Sequence, residues 1–336
     1  MATPTLSLAG AYIELVADHL ASMGVDVRSW LGTYGLTEAV VSEANLSLPV
    51  ETWGRLLLDA RTLAREPALG LFIGERLVVR THGFLGYAAM SSRTVLDMVD
   101  VLERFTTTRI SGVALRREMA GDELQLRLEE LIALGPIRPF LFEAVALSLK
   151  NILAAVTMGA CPIASAYFLE PEPEYADLAR DILGCEVHYG SAWAGVSIPR
   201  VKAELRLKMA DPHAFQEAAE ICQRQLDELE RKQTMATRVE RLLLESRHGF
   251  PPLASTARRL HLTPRTLHRR LEQEGTSYRA LLDGVRFRLA CEYLARGGTR
   301  VEEIAYMLGY SDPSNFRRAF KRWAKVTPLA YREARL

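Results

Sequence analysis

Arg265, Thr266, His268 and Arg269 form a cluster of side chains able to hydrogen-bond the edges of nucleic-acid bases, and Ser314, Asn315, Arg317 and Arg318 form a second. Arg forks onto guanine, Asn onto adenine, and the hydroxyls of Ser and Thr reach several base edges. Each cluster has the same preface: Thr263-Pro264 opens the first and Asp312-Pro313 the second. In both, an N-cap oxygen is followed by a proline at the first helical position, where a missing N–H costs nothing. Within each cluster an apolar pair recurs at i, i+4, Leu267/Leu271 and Phe316/Phe320. Each segment is therefore predicted to be a short helix that buries one stripe and presents the polar one.

A helix that reads bases in the major groove needs a second helix to hold it there. Leu253–Leu260 precedes the first cluster and Val301–Leu308 the second, each with a small Ala (Ala257, Ala305) that lets two helices cross closely. Ala257/Ala305 and Leu260/Leu308 are 48 positions apart, whereas Leu267/Phe316, Arg269/Arg318 and Leu271/Phe320 are 49 apart, so the second turn is one residue longer. The two copies are predicted helix-turn-helix motifs. Between them, Ser277 is a candidate N-cap for one long helix ending at Gly297-Gly298, with Gly284 in its interior. Roughly 20 residues at about 1.5 Å each make a rod of about 30 Å, close to the ~34 Å turn of B-DNA. A single chain would then read two adjacent sub-sites on one face of the duplex.

On these residues the C-terminal region resembles the DNA-binding domain of the AraC/XylS family of bacterial transcription regulators. The resemblance is carried by I-A-Y-M-L-G-Y-S-D-P-S-N-F-R-R-A-F-K-R-W (Ile304–Trp323) and V-T-P-L-A-Y-R (Val326–Arg332). It implies base reading by Arg265, Thr266, His268, Arg269, Ser314, Asn315, Arg317 and Arg318. It also implies double-stranded DNA and RNA polymerase as partners. His261 stands where the family often has Gly, and Pro313 where many members carry a polar residue.

Charge divides the chain in the same place. The 336 residues carry a net charge of +1, but residues 238–336 hold 20 Lys+Arg against 10 Asp+Glu, leaving −9 on the remainder. A basic terminal domain suits phosphate contact and counterion release. Lys321, Arg322, Lys325 and Arg286 are the main candidates for backbone contact, with Arg241, Arg247, Arg258 and Arg288 behind them.

The length predicts two domains and a connector, and a hydrophobic content of 49% supports folded cores. Glu14 and Asp18 interrupt the apolar start, which argues against a secretory signal. Pro136, Arg138, Pro139, Glu143 and Lys150 interrupt the apolar stretch Leu131–Cys161, so no membrane span is expected. Cys161, Cys185, Cys222 and Cys291 lack C-x-x-C spacing and read as reduced core thiols of a cytoplasmic protein, with no metal and no cofactor expected. Neither G-x-S-x-G nor H-E-x-x-H occurs. Three further positions read structurally rather than as chemistry: His82 as part of a capped turn, His188 as a paired core histidine, and Ser91-Ser92 as a helix N-cap.

The first two hundred residues change character midway. Apolar periodicity predicts helices over Leu8–Leu20, Val50–Leu63, Ala68–Leu77 and Thr94–Phe105. Alternation on either side of Ala120-Gly121 then predicts a hairpin. Arg138–Met158 is a nearly all-apolar, hence buried, helix, and Glu174–Leu183 is a helix closed by Gly184. Strands are expected at 163–170, 186–190 and 194–199. The fold class is therefore an α+β N-terminal effector domain followed by an all-α domain with two helix-turn-helix motifs joined by a long helix.

The N-terminal part is similar to the non-cupin, arabinose-binding-like effector domain of one subset of the family. Pro67–Leu77, His82–Ser92 and Pro171–Tyr175 carry the likeness. It implies a small-molecule effector without implying a sugar. Arg109 and Arg138 are candidates to pair with a carboxylate effector.

Asp211-Pro212 opens a connector helix reaching about Gln233, with Phe215, Ala218, Cys222, Leu226 and Leu229 at a/d spacing. This stripe either meets a second copy in a homodimer or packs on its own domain. The expected domains are 1–205 (effector), 206–237 (connector, with a hinge at Arg231–Arg238) and 238–336 (DNA binding). The function read from the residues is an effector-responsive, sequence-specific transcription activator. Two alternatives stay open: a DNA-targeted enzyme such as an alkyl-damage repair protein, and an architectural DNA binder that needs no effector.

Overall fold

Leu6 and Leu8 alternate with Ser7 at strand period and are buried on a strand, β1 (Thr5–Ala9), which pairs antiparallel with β2 (Asn45–Pro49). The helix expected from Leu8 starts instead at Gly10, as α1 (Gly10–Ser22). The structure, a computed structural model, describes residues 5–41, 45–232, 234–244, 249–296 and 298–333. The chain divides into two compact units at Leu229/Glu230.

The first unit continues with α2 (Val27–Gly32), α3 (Glu38–Val41), α4 (Val50–Ala64), α5 (Leu69–Arg76), α6 (Phe84–Ser91) and α7 (Val95–Phe105). There follow β3 (Val113–Ala120), β4 (Glu123–Glu130), α8 (Arg138–Thr157), β5 (Ser165–Tyr167), α9 (Ala176–Leu183), β6 (Glu186–His188), β7 (Ala194–Pro199) and α10 (Pro212–Lys232). The larger sheet runs β3-β4-β7-β5-β6. Its β5–β6 pair is parallel and its other pairs antiparallel. The β3–β4 hairpin closes through Gly121-Asp122, with Ala120 opposite Glu123 and Gly121 at φ 59°.

Helix α8 is the centre of this unit. Together with the turn before it, Gly135–Thr157 contains an 18-residue window with a mean hydropathy of 1.6, apolar and long enough by composition alone to cross a membrane, which corrects the expectation that its prolines and charges exclude this. Here 67% of that window is buried inside the protein. Helix α5 lies against it at small residues. A Cβ on Gly70 would sit 2.6 Å from Glu143 Oε2 and 2.8 Å from the Phe140 carbonyl, and one on Gly74 would sit 2.7 Å from Leu147 Cβ. The run P-A-L-G-L-F-I-G is thus the close-approach face of α5.

Two local expectations are corrected. Thr94, not Ser91-Ser92, caps α7: its Oγ1 accepts from the Asp97 N–H at 3.1 Å, while the Ser92 hydroxyl donates back to the Ala88 carbonyl at 2.9 Å. His188 is only half-buried and stacks on Tyr167 at 4.8 Å between ring centroids, so it is an edge residue rather than a core one.

The a/d stripe of α10 is used within its own unit. Ala218 and Cys222 are buried in the core of the first unit, with Phe215 and Leu226 packed against it. Four of the five stripe residues thus pack on their own domain, as one of the two readings expected.

The second unit comprises α11 (Met235–Leu244), α12 (Leu253–Arg259), α13 (Pro264–Gln273), α14 (Tyr278–Arg296), α15 (Val301–Met307), α16 (Pro313–Ala324) and α17 (Pro328–Glu333). It holds two small cores. Leu267 and Leu271 pack with Ala257 and with Val239 and Leu243 of α11 in one, and Phe316 and Phe320 pack with Ala305 and Leu308 in the other. Helix α14 serves both, giving Leu281 and Val285 to the first and Ala290 and Leu294 to the second, while Phe250 packs against each.

Candidate DNA interface and effector cavity

The two motifs end their first helix with the same hydrogen bonds. In the first, the N–H groups of His261 and Leu262 donate to the carbonyls of Arg258 (3.0 Å) and Ala257 (2.8 Å). In the second, those of Gly309 and Tyr310 donate to Tyr306 (2.9 Å) and Ala305 (3.0 Å). This is the paired closure of a helix C-terminus that requires one left-handed residue, met by His261 at φ 55° and by Gly309 at φ 75°. The second helices start as their sequences require. Thr263 Oγ1 accepts from the Thr266 N–H at 3.1 Å, and Asp312 Oδ1 accepts from the Ser314 N–H at 2.8 Å. Pro264 and Pro313 occupy the first turn.

Burial of Leu267, Leu271, Phe316 and Phe320 turns the polar faces of α13 and α16 outward. Arg265, His268, Arg269, Ser314, Asn315, Arg317 and Arg318 are exposed. Thr266 is half-buried, its hydroxyl 2.8 Å from that of Thr263, so it takes part in the cap. His268 Nδ1 lies 3.2 Å from Glu272 one turn on. Arg317 donates to Glu302 on α15. Arg265, Arg269 and Arg318 make no ion pair among the described residues.

The expected phosphate contacts separate into two sets. Lys321 and Lys325 are exposed near the end of α16, and Arg258 is exposed with its guanidinium 3.3 Å from the Ser255 hydroxyl. Arg322 is exposed but ties α16 to α14 through Asp283 at 2.9 Å. Arg286 is corrected from a surface cation to a structural one. Its Nε donates to the Leu308 carbonyl at 3.0 Å, and its guanidinium lies over the rings of Tyr310 (4.6 Å) and Phe250 (5.4 Å). Arg241 and Arg288 are half-buried, Arg288 facing the carboxyl of Glu240, which burial pushes above its usual range. Arg247 lies outside the described residues, as does Gln233 of the expected hinge. A contact that the sequence does not announce joins the first reading helix to α11. The Glu274 carboxylate accepts from the N–H groups of Met235 (2.6 Å) and Ala236 (2.8 Å), capping α11 from the end of α13.

The first unit contains a cavity of about 760 Å³, the open solvent at its mouth included. Its walls come from α1, α4, α5, α6, α7 and α8, and most are aliphatic, among them Ile13, Val16, Leu57, Ile73, Leu102 and Leu149. The polar side chains in the lining are Tyr12, His82, Thr106, Arg109 and Ser148. His82 uses both ring nitrogens, Nδ1 at 2.7 Å from the Tyr12 hydroxyl and Nε2 at 2.9 Å from that of Ser148. It is neither a turn cap nor an available base. Burial, and then Arg109, pushes its imidazole down to about 4, and burial raises the Tyr12 phenol. Arg138, the other candidate for a carboxylate, is held by Glu170 at 2.6 Å and lies outside this lining.

The cysteines offer little nucleophilicity. Burial pushes Cys185 and Cys222 up to about 11 and raises Cys161. Among the described residues no group of three or more His, Cys, Asp or Glu could hold a metal ion.

Known families match both units. Residues 24–207 match the arabinose-binding domain of AraC transcription regulators, N-terminal, and residues 256–334 match a helix-turn-helix domain. The ornithine utilization regulator of Pseudomonas aeruginosa is 33% identical over 326 residues, 96% of each chain. The transcriptional regulator VirS of Mycobacterium tuberculosis is 25% identical over 321 residues, 94% of this chain and 93% of that one. The crystal structure of transcriptional regulator CdpR from Pseudomonas aeruginosa aligns over 96% of this chain and 98% of that one, with a TM-score of 0.46 and 23% identity. The chain belongs to the AraC-type transcription regulators. It is a DNA-binding transcriptional regulator, a class that acts by recognition rather than by catalysis.

Proposed function

We propose that the chain is an effector-responsive activator of the cytoplasm that reads two adjacent DNA sub-sites with α13 and α16 and contacts RNA polymerase when bound. The observation that carries this reading is the matched pair of motifs, their turns closed by equivalent hydrogen bonds, one preceding and one following the 19-residue α14 in the chain. At about 1.5 Å per residue α14 spans about 28 Å, which suits successive major grooves. Arg265, Thr266, His268 and Arg269 then face one sub-site, and Ser314, Asn315, Arg317 and Arg318 the next. Lys321, Lys325 and Arg322 hold the backbone. Because the α10 stripe is covered within its own unit, a single chain suffices for both sub-sites.

Footprinting of the purified full chain on genomic fragments tests this. The expected result is a protected stretch of about two helical turns, near 20 base pairs, with random DNA bound far more weakly. Equal affinity for every fragment would defeat it. Transcription from the protected promoter, with and without bound protein, decides the sign of regulation.

A further inference from the structure

We infer that the cavity of the first unit binds an apolar-tailed carboxylate whose head is held by Arg109. The inference rests on the effector-responsive reading and names the class of effector.

Most polar groups of the cavity already have a partner. Tyr12, His82 and Ser148 form a chain in which both ring nitrogens of His82 are occupied. The Thr106 hydroxyl donates to the Leu102 carbonyl at 2.6 Å. Arg109 differs: its Nε is buried without a hydrogen-bond partner, while its other nitrogens reach the Thr81 carbonyl, at 3.4 Å from Nη2, and the Tyr12 hydroxyl. Its guanidinium stands 5.5 Å from the Tyr12 ring centroid. Among the described residues, the lining contains no Asp or Glu. With His82 neutral, Arg109 is the single formal charge on the walls.

A half-buried cation with no counter-ion on the cavity walls is poorly compensated, and the unmade donor at its buried Nε adds to the cost. A carboxylate relieves both at once, because it matches the guanidinium fork and carries the opposite charge. The rest of the ligand must be apolar, since the walls offer it little but aliphatic side chains. A sugar fits poorly, because its several hydroxyls would each need a partner in a wall that is mostly aliphatic. An amino acid with two ammonium groups fits poorly as well, since no carboxylate lines the cavity to receive them.

Titration of the full-length protein decides it, by calorimetry and by melting, below micellar concentrations. The panel is octanoate, decanoate and 4-phenylbutanoate against 1-decanol, L-ornithine and L-arabinose. At least one carboxylate should bind and raise the melting temperature with dose, while the alcohol, the diamine and the sugar leave it unchanged. Arg109→Gln should weaken the bound carboxylate about 10- to 100-fold, and Arg109→Lys should weaken it less. A far-UV circular dichroism spectrum and a cooperative melting transition like the parent's report that each variant has folded. Equal affinity for decanoate and 1-decanol, undiminished binding by Arg109→Gln, or no binding by any carboxylate would overturn the inference. If DNA specificity survives in those cases, the regulator reading stands without it; if carboxylate binds but DNA specificity is absent, the regulator reading fails and this one stands.

Discussion

Arg286 Nε donates to the carbonyl of Leu308 at 3.0 Å, joining the middle of α14 to the last turn of α15. Its guanidinium fills the space between Phe250, which touches both small cores, and Tyr310 of the second turn. The angle at which the second motif leaves the long helix is set at this point.

Arg286→Ala should therefore cost about 1–3 kcal/mol, from a lost charged hydrogen bond and two ring contacts, read by urea unfolding. The slope of log affinity against log salt should stay unchanged. A slope smaller by about one would return Arg286 to the phosphate-contacting set.

Arg318→Ala and Lys321→Ala separate reading from holding. Both residues are exposed on α16. The Arg318 change should cost about 1–3 kcal/mol and relax preference at one base position, whereas the Lys321 change should weaken all sequences alike and reduce the salt slope by about one. Binding assays across a single-base operator library and a salt series distinguish them.

The two turns invite mirror substitutions. His261 holds a left-handed conformation at φ 55° that Gly309 adopts at φ 75°. His261→Gly should raise the stability of the C-terminal domain, by up to about 1 kcal/mol after the flexibility of glycine is discounted. Gly309→Ala should lower it, since alanine strains in the left-handed conformation that glycine adopts freely. Thermal denaturation of the pair should give shifts of opposite sign.

Glu143 predicts a pH dependence in the effector domain. It lies buried in α8 with its carboxyl 2.8 Å from the Tyr175 hydroxyl, and burial pushes it up to about 7. The folded state thus holds its proton over a range where the unfolded chain has released it. The associated stability is complete below about pH 4.5 and is lost as pH rises to about 7. Glu143→Gln keeps a neutral partner for Tyr175. It should exceed the parent in stability by on the order of 3 kcal/mol above pH 7, with the gap closing toward pH 4.5. A gap independent of pH would show that Glu143 is ionised in the folded protein.

What the residues disclose depends on how far apart the interacting groups stand. The two reading motifs are legible because each is built from neighbours: a cap, a proline and an i, i+4 pair within nine positions of Thr263 or Asp312. The burial of α8 is legible from its composition. The role of Arg286 is not, since its acceptor is 22 positions away and a surface cation looks the same in sequence. The cavity is less legible still: Tyr12 and Ser148 meet His82 across 70 and 66 positions, and none of the three is unusual where it stands. Strand β1 is hidden because its alternation lasts five residues before a helical period takes over.

The extra residue in the second turn has a consequence for the DNA itself. With the helix before it closed at Tyr310 as its counterpart is at Leu262, the added length falls just ahead of Asp312, so the later probe is offset from the earlier one. Their side chains differ too: beside two arginines each, one carries threonine and histidine and the other serine and asparagine. In the two-sub-site reading proposed above, a chain seated through both has a front and a back. Its target is then directional rather than a palindrome, and turning that target end for end beside a gene would point the same protein away from the start of transcription.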